Sequence, residues 1–298
     1  MNERQLREIV PAVIGVLVYG GVDFATAEDA VQEALLQATV TWRRRRPLIR
    51  RGGWSPQRIS RAKRTVSRVR FDAPGDPGRV RRVLYLVFNE GYSGDVDLAA
   101  EAVRLTRELR SRTDDEETAG LLALMLLHHA RRPARMRPDG TLVPLAEQDR
   151  TLWDTALIAE GVNIAQTALA RDRLGEFQAQ AAIAALHADA PRAEETDWVQ
   201  IVGWYEELLL LSDTPVVRLN RAVAVGQADG PVAGLAALAT VDAGVPRRTA
   251  AEAYLRDKAG EHARAAELYS DAAHAASNLA ERHHLTLQAA RIDAALRR

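Results

Sequence analysis

The sequence predicts an all-α protein in which a short helical N-terminal part precedes a helical solenoid. Three observations carry this expectation. Ala and Leu dominate the apolar residues and recur at helical spacing, whereas β-branched residues form few alternating runs. Capping and stop signals punctuate the chain at helix-length intervals. The last third also repeats itself: Asp229-Gly230-Pro-Val-Ala-Gly-Leu-Ala-Ala-Leu238 aligns with Ala259-Gly260-Glu-His-Ala-Arg-Ala-Ala-Glu-Leu268 at an offset of thirty residues. Each copy is a helix end, a glycine turn and an Ala/Leu-faced helix. One such hairpin cannot bury its own apolar face, so successive hairpins must stack.

In chain order, the first helix spans about residues 3–19 and stops at Gly20-Gly21. Thr26 caps a second helix, with Asp29 three residues on, and Ala27, Ala30, Val31, Ala34, Leu35 and Ala38 keep one apolar face. Residues 43–53 have no apolar period. Ser55-Pro56 opens a short basic helix to about Arg70. Asp72-Ala-Pro-Gly-Asp-Pro-Gly78 reads as a linker, because its prolines and glycines leave no room for a helix. After it come residues 80–90, closed by Gly91, and a helix opened by Asp95. Thr113-Asp-Asp-Glu116 is a capping box for residues 118–130. Residues 133–144 read as irregular, with a turn at Pro138-Asp139-Gly140. Further helices are predicted at 145–171, 176–189, 196–211, 215–228, 232–241, 247–259, 263–276 and 279–296.

The formal net charge of zero conceals a strong asymmetry. Residues 43–82 hold fifteen Arg/Lys and two acids, a local charge of +13, between flanks of −4 and −9. Such a block attracts phosphates. Trp54, Ile59, Val66, Val69 and Phe71 lie within it and argue that part of it folds. Lysine occurs only at Lys63 and Lys258, so the positive charge is almost all guanidinium, which suits bidentate phosphate and carboxylate contacts. The absence of cysteine excludes disulfides, thiolate metal sites and cysteine nucleophiles. Residues 9–18 are apolar, but the leader carries Glu3 and Glu8 beside Arg4 and Arg7, and Pro11 and Gly15 interrupt the run. A core helix in a cytoplasmic protein is therefore expected rather than a signal peptide or membrane span.

Little points to catalysis. His128-His129 and His283-His284 are adjacent pairs that cannot chelate a metal alone, since neighbours on a helix diverge by about a quarter turn. They read as solvated or capping histidines. Asp114, Asp115, Glu116 and Glu117 suit a helix N-terminus, and Glu194 and Glu195 read similarly. No Gly-x-Ser-x-Gly and no glycine-rich phosphate loop occurs. The tryptophans at 42, 54, 153, 198 and 204 read as core residues. No catalytic residue, metal or cofactor is expected. Two segments are less generic. Asp29, Gln32 and Glu33 share one helical face opposite the apolar stripe; spacing alone makes that an ordinary solvated face. In Leu84-Tyr-Leu-Val-Phe-Asn-Glu-Gly-Tyr92, a polar pair interrupts an apolar helix, which reads as a C-terminal cap with a buried polar anchor.

Together these segments carry a resemblance. Asp-Ala-Val-Gln-Glu-Ala at 29–34 resembles region 2.2 of the sigma-70 family, in its extracytoplasmic-function branch. Residues 84–92, Gly120-Leu-Leu-Ala-Leu-Met-Leu-Leu-His-His-Ala-Arg-Arg-Pro-Ala134 and Gln148-Asp-Arg-x-x-Trp153 resemble the C-terminal extension of one group of those sigma factors. So do Gln180-Ala-Ala-Ile-Ala-Ala-Leu-His187, Asp197-Trp198 and Pro215-x-Val-x-Leu-Asn-Arg-Ala222. That extension is tetratricopeptide-like, in keeping with the repeat near the C-terminus, whose usual period is about 34 residues. The resemblance implies binding of Asp29, Gln32 and Glu33 to the β′ clamp helices of RNA polymerase core. It also implies DNA binding, and nothing catalytic, because the polymerase supplies the chemistry.

The departure from the family is equally informative. After Gly53-Trp54, the sequence passes directly to Ser55-Pro-Gln-Arg-Ile-Ser-Arg-Ala-Lys-Arg-Thr65, which resembles the end of the recognition helix of sigma domain 4. The promoter-melting part of domain 2 and the first helix of the −35 reader are missing between them. The resulting division is partial sigma region 2 helices at 1–54, a basic helix at 55–71, a linker at 72–78 and a tetratricopeptide-like domain at 79–298. A recognition helix enters the major groove at a set angle only when its partner helix crosses the backbone. Arg58, Arg61, Lys63 and Arg64 are therefore expected to contact phosphates without reading bases. The expected protein is sigma-factor-like with degenerate promoter recognition. The alternative is an interaction module whose solenoid binds a protein or peptide, with the sigma part vestigial.

DNA binding by the basic block should thus be sequence-independent, with log K falling against log salt by about 0.9 per phosphate contacted. Replacing Arg58, Arg61, Lys63 and Arg64 by Ala should weaken binding to all duplexes alike in a fluorescence-anisotropy titration. A hundredfold preference for a −35-like duplex would contradict the loss of base readout.

Overall fold

The computed structural model describes residues 76–91, 98–138, 140–171, 173–276 and 278–297. Within them the protein is all-α, with eleven α-helices, short 3₁₀ turns and no strand beyond the isolated bridge between Met136 and Leu142. The described residues divide into two compact units, those up to Met125 and those from Leu126 onward. Among the described residues no helix is long and apolar enough to cross a membrane.

In the first unit, α1 (Pro77–Gly91) starts earlier than the sequence suggests. Pro77 and Gly78 belong to the helix rather than to the linker. Proline fits a first helical turn, where its missing N–H is not needed, and the Asp76 carboxylate accepts from the Gly78 N–H at 2.8 Å. Val80, Leu84 and Phe88 form the buried stripe of α1, which packs on α2 (Leu98–Arg112). Asn89 is exposed, so it is not the buried anchor expected of the Asn-Glu pair. Whether Asp95 opens α2 lies outside the described residues.

The third helix, α3 (Glu116–Ala130), is apolar on every side, and Leu121 through Leu127 are all buried. A helix of that kind belongs in a core. The residue that caps it is Asp115, not Thr113: the Asp115 carboxylate accepts from the Thr118 N–H at 3.0 Å and from its hydroxyl, and also pairs with Arg81 of α1. The Thr113 hydroxyl instead donates back to the Leu109 carbonyl at 2.9 Å. Thr106 of α2 is fully buried, and its hydroxyl bonds the Ala102 carbonyl at 2.7 Å.

In the second unit, residues 131–154 are irregular, as expected around Pro138 and Gly140, but the irregularity extends further. The helix predicted from 145 begins only at Thr155. In its place stand two 3₁₀ turns, Leu145–Glu147 and Arg150–Leu152. Two aspartates cause the delay. The Asp149 side chain accepts from the Thr151 N–H, and the Asp154 side chain accepts from the N–H groups of Ala156 and Leu157, which makes Asp154 the cap of α4 (Thr155–Leu169). Helices α5 (Glu176–Asp189), α6 (Trp198–Leu211), α7 (Pro215–Ala228) and α8 (Pro231–Leu238) follow. They continue into α9 (Arg248–Lys258), α10 (His262–Ala275) and α11 (Leu279–Leu296). Asp197, Thr214 and Asn278 cap α6, α7 and α11. Glu194 and Glu195 lie in a 3₁₀ turn before α6 rather than in its first turn.

From α4 onward each helix packs chiefly on its neighbours in sequence. The apolar interior accordingly forms a succession of clusters. One surrounds Ile183, Ile201 and Leu208; the next surrounds Leu219, Leu238 and Leu255; the last surrounds Leu268, Tyr269, Leu285 and Ile292. This is solenoid-like stacking. The thirty-residue repeat is visible in the backbone: Gly230 and Gly260, equivalent in the alignment, both have left-handed φ angles, 95° and 80°, just before α8 and α10. L-residues with a side chain rarely adopt that region.

Helices α7 and α8 approach closely at Gly226 and Gly234. A Cβ on Gly234 would lie 2.6 Å from Gly226 Cα and 3.0 Å from the Ala222 carbonyl oxygen, both backbone atoms that cannot step aside. Gly234→Ala should therefore destabilise the second unit by about 1–3 kcal/mol through overpacking, measured as a lower urea midpoint. An unchanged midpoint would mean that the crossing is looser than described.

Candidate functional site

The residues singled out for polymerase contact, Asp29, Gln32 and Glu33, lie outside the described residues, as do Arg58, Arg61, Lys63 and Arg64. Of the basic block, Arg79, Arg81 and Arg82 are described. Arg81 pairs with Asp115, and Arg79 lies 3.4 Å from Asp76. Two of the block's charges are thus engaged within the helical part itself.

In the second unit, four segments that are far apart in sequence meet around Trp153. The first is the end of α3 with the residues after it, His128 to Arg135. The second is Gln148 to Asp154. The third is the end of α5 at His187 to Ala190, and the fourth is Asp197-Trp198. Their joints are specific. The Asp154 N–H donates to the Ala130 carbonyl at 3.0 Å, which fixes the start of α4 against the end of α3. Arg150 Nη1 donates to the carbonyls of His187 and Ala190 at 2.8 and 2.6 Å. Those carbonyls belong to the end of α5, where helix geometry leaves acceptors unmet and the dipole favours a cation. The Arg150 guanidinium also lies over the Trp153 ring, 4.4 Å from its centroid, and Arg131 stands 6.0 Å from the same centroid. His187 meets Trp198 edge to face, with centroids 5.2 Å apart.

Trp153 is 5% exposed and Arg131 9%. The reading of Trp153 as a core residue holds, although it sits in a turn rather than on a helix. Trp198 and Trp204 pack, part-buried, against the cluster around Ile201. The reading of His128 as a solvated or capping residue does not hold. Burial, and then the charges of Arg131 and Arg135, keep its imidazole well below the ordinary 6.5. Burial and then Arg131 and Arg150 bring His187 down to about 4. Both rings are therefore neutral at neutral pH, each with one N–H donor and one acceptor nitrogen. Among the described residues, the buried Trp153 Nε1 and Gln148 Oε1 have no hydrogen-bond partner. Of the nearby acids, Glu194 bears on the Arg150 charge. Asp149 and Asp154 cap turns, and Glu147 lies 3.9 Å from Arg137.

Such an arrangement combines fixed positive charge, neutral imidazoles and a buried indole donor. Among the described residues no group of three or more His, Asp or Glu converges as a metal site. Single-sequence reasoning found His128, Trp153 and Trp198 as residues. It did not find Arg131, Arg150 or His187 as parts of one constellation, because their meeting depends on the irregular path of residues 131–154.

A family profile described as "Family of unknown function (DUF6596)" matches residues 78–169. The matched span runs from α1 to α4 and includes His128, Arg131, Arg150 and Trp153, while His187 and Trp198 lie beyond it. "Uncharacterized protein R00370" of Rhizobium meliloti (strain 1021) is 45% identical over 196 residues, 60% of this chain and 46% of the relative. The chain thus spans less than half the length of that relative. No solved structure matches.

The low His187 value has a definite consequence for stability. A group whose pKa is lower in the folded than in the unfolded state contributes stability above the unfolded value and loses it as pH falls toward the folded value. For His187 the window runs from about 6.5 down to about 4. Between pH 7 and 5 the second unit should lose about 2 kcal/mol from this residue. The check is urea unfolding at both pH values, in which His187→Gln should flatten the dependence. An equal pH dependence in both proteins would contradict the assignment.

Proposed function

We propose that this chain is a cytoplasmic, sigma-factor-like protein of transcription initiation, with degenerate promoter recognition, whose helical part is an attached interaction module. The observation that carries the reading is the joint occurrence of two resemblances in one chain. Residues 29–34 resemble region 2.2, and the segments resembling the C-terminal extension are not scattered: four of them meet around Trp153 and His187. In this reading Asp29, Gln32 and Glu33 meet the β′ clamp helices of RNA polymerase core. Arg58, Arg61, Lys63 and Arg64 hold DNA phosphates. The polymerase supplies all the chemistry, so the chain needs no cofactor of its own.

A second reading, the interaction module alone, is favoured by apolar side chains left in solvent on α6 and α7. Val199 is 71% exposed, Leu210 82% and Val216 55%. A solenoid offers such side chains as a surface for a protein or peptide. Pull-down of purified core polymerase separates the two readings. Weak capture that falls when Asp29 or Glu33 is replaced by Arg supports the first, since charge inversion on a contacting face weakens encounter and binding. Run-off transcription should give no promoter-specific product. Specific transcripts would refute the loss of the promoter-melting segment, and no capture of core would leave the module reading in place.

A further inference from the structure

One face of α6 is left open by the packing of the second unit. Val199, Gly203, Glu206 and Leu210 are all exposed and stand at i, i+4, i+7 and i+11, the spacing of the contact line between two packed helices. Ile201 and Leu208 mark the opposite side of the helix and are buried with residues of α5 and α7. Gly203 is the informative member of the line. A glycine inside a helix weakens it relative to alanine. Here a Cβ would meet nothing within 4 Å, so no packing among the described residues accounts for the glycine. Its missing side chain, between two exposed apolar ones, leaves a place where a second helix can come close.

The charge around this line is one-sided. Residues 193–217 hold six acids and no Lys or Arg. Helix α5, which packs on α6, adds Glu176 and Asp189 and no Lys or Arg. The flanking arginines are already engaged: Arg192 donates to Glu195 at 2.6 Å, Arg218 to Asp213 at 2.6 Å and Arg221 of α7 to Glu206 at 2.7 Å. Glu194 bears on the Arg150 charge, and Asp197 caps α6. Among the described residues Glu207, exposed beside the line, has no cationic partner.

We propose that this face of α6 docks one amphipathic helix of a partner protein, which carries Arg or Lys beside its apolar stripe. The inference rests on the interaction-module reading and names the chemistry of the partner. Val199 and Leu210 receive the apolar side chains of the incoming helix, as in other helix-on-helix recognition. Its backbone passes close at Gly203, and its cations meet Glu207 and the outer side of Glu206. A second copy of this chain is disfavoured, because Glu206 and Glu207 would then oppose their own counterparts across the contact. Nucleic acid is disfavoured by the same sign.

The test is a fluorescence-anisotropy titration of the full chain against a labelled synthetic peptide with leucine at i, i+3, i+7 and i+10 and arginine on both flanks of that stripe. The same peptide with glutamate for arginine, and a scrambled peptide of unchanged composition, are titrated in parallel. The arginine peptide should bind with a Kd below about 100 μM, and the other two at least about tenfold more weakly. Gly203→Leu is the discriminating variant. It should raise the urea midpoint, since leucine is the better helix former at an exposed site, yet weaken the arginine peptide at least about tenfold by filling the point of approach. Glu207→Arg should weaken it as well. An arginine peptide that does not bind, or that Gly203→Leu leaves equally tight, overturns the proposal. So does a concentration-dependent dimer in sedimentation that Gly203→Leu dissolves, because the occupant is then a second copy. Tighter binding of the glutamate peptide overturns the cationic partner and leaves the interaction-module reading standing. The core pull-down decides that reading on its own.

Discussion

One side chain, Arg150, ties the irregular stretch between α3 and α4 to the end of α5. Arg150 reaches across from its 3₁₀ turn to the last carbonyls of α5 and lies over the Trp153 ring as it does so. The contact joins residues 37 and 40 positions apart. It gives the end of α5 the donors that a helix C-terminus lacks and gives the buried indole its cover. The turn at 150–152, the Asp154 cap and the approach of Ala130 to Asp154 all belong to the same knot. A lysine here would keep the charge but could not both fork to two carbonyls and stack on the ring.

Beyond this knot, the second unit is built by repetition. Each helix from α4 to α11 finds its partners mainly in the helices before and after it, and the apolar interior is a chain of clusters rather than one centre. Alanine makes this possible. Ala179, Ala222, Ala224, Ala253 and Ala265 are essentially fully buried at helix contacts, where a larger residue would separate the axes. In the first unit Ala99, Ala102 and Ala123 are likewise fully buried, but α3 adds leucine on every face, and its capping aspartate doubles as the ion-pair partner of α1.

Much of the helical pattern was legible in the sequence because it rests on local rules. Thr214-Pro215 and Asn278 mark helix starts through hydrogen bonds made within three residues, and these starts fall where expected. The errors arise where two local rules compete. At residues 145–154 the apolar pattern continues while Asp149 and Asp154 offer their side chains to the backbone, and the side chains win. At residues 113–116 both Thr113 and Asp115 could cap, and the partner on α1 decides for Asp115. The Trp153 cluster was legible only in pieces. Its residues stood out singly, but Arg131, Arg150 and His187 are separated by up to 56 positions, and no spacing rule links them.

The paired glycines at 230 and 260 set the geometry of the stack in a way that side chains do not. At both positions the chain turns through a left-handed backbone conformation before entering the next helix. The direction of each new hairpin is therefore written in the main chain at a single hinge point. Side chains on the outer faces of α8 and α10 can then vary without altering the path that the main chain takes at these two turns.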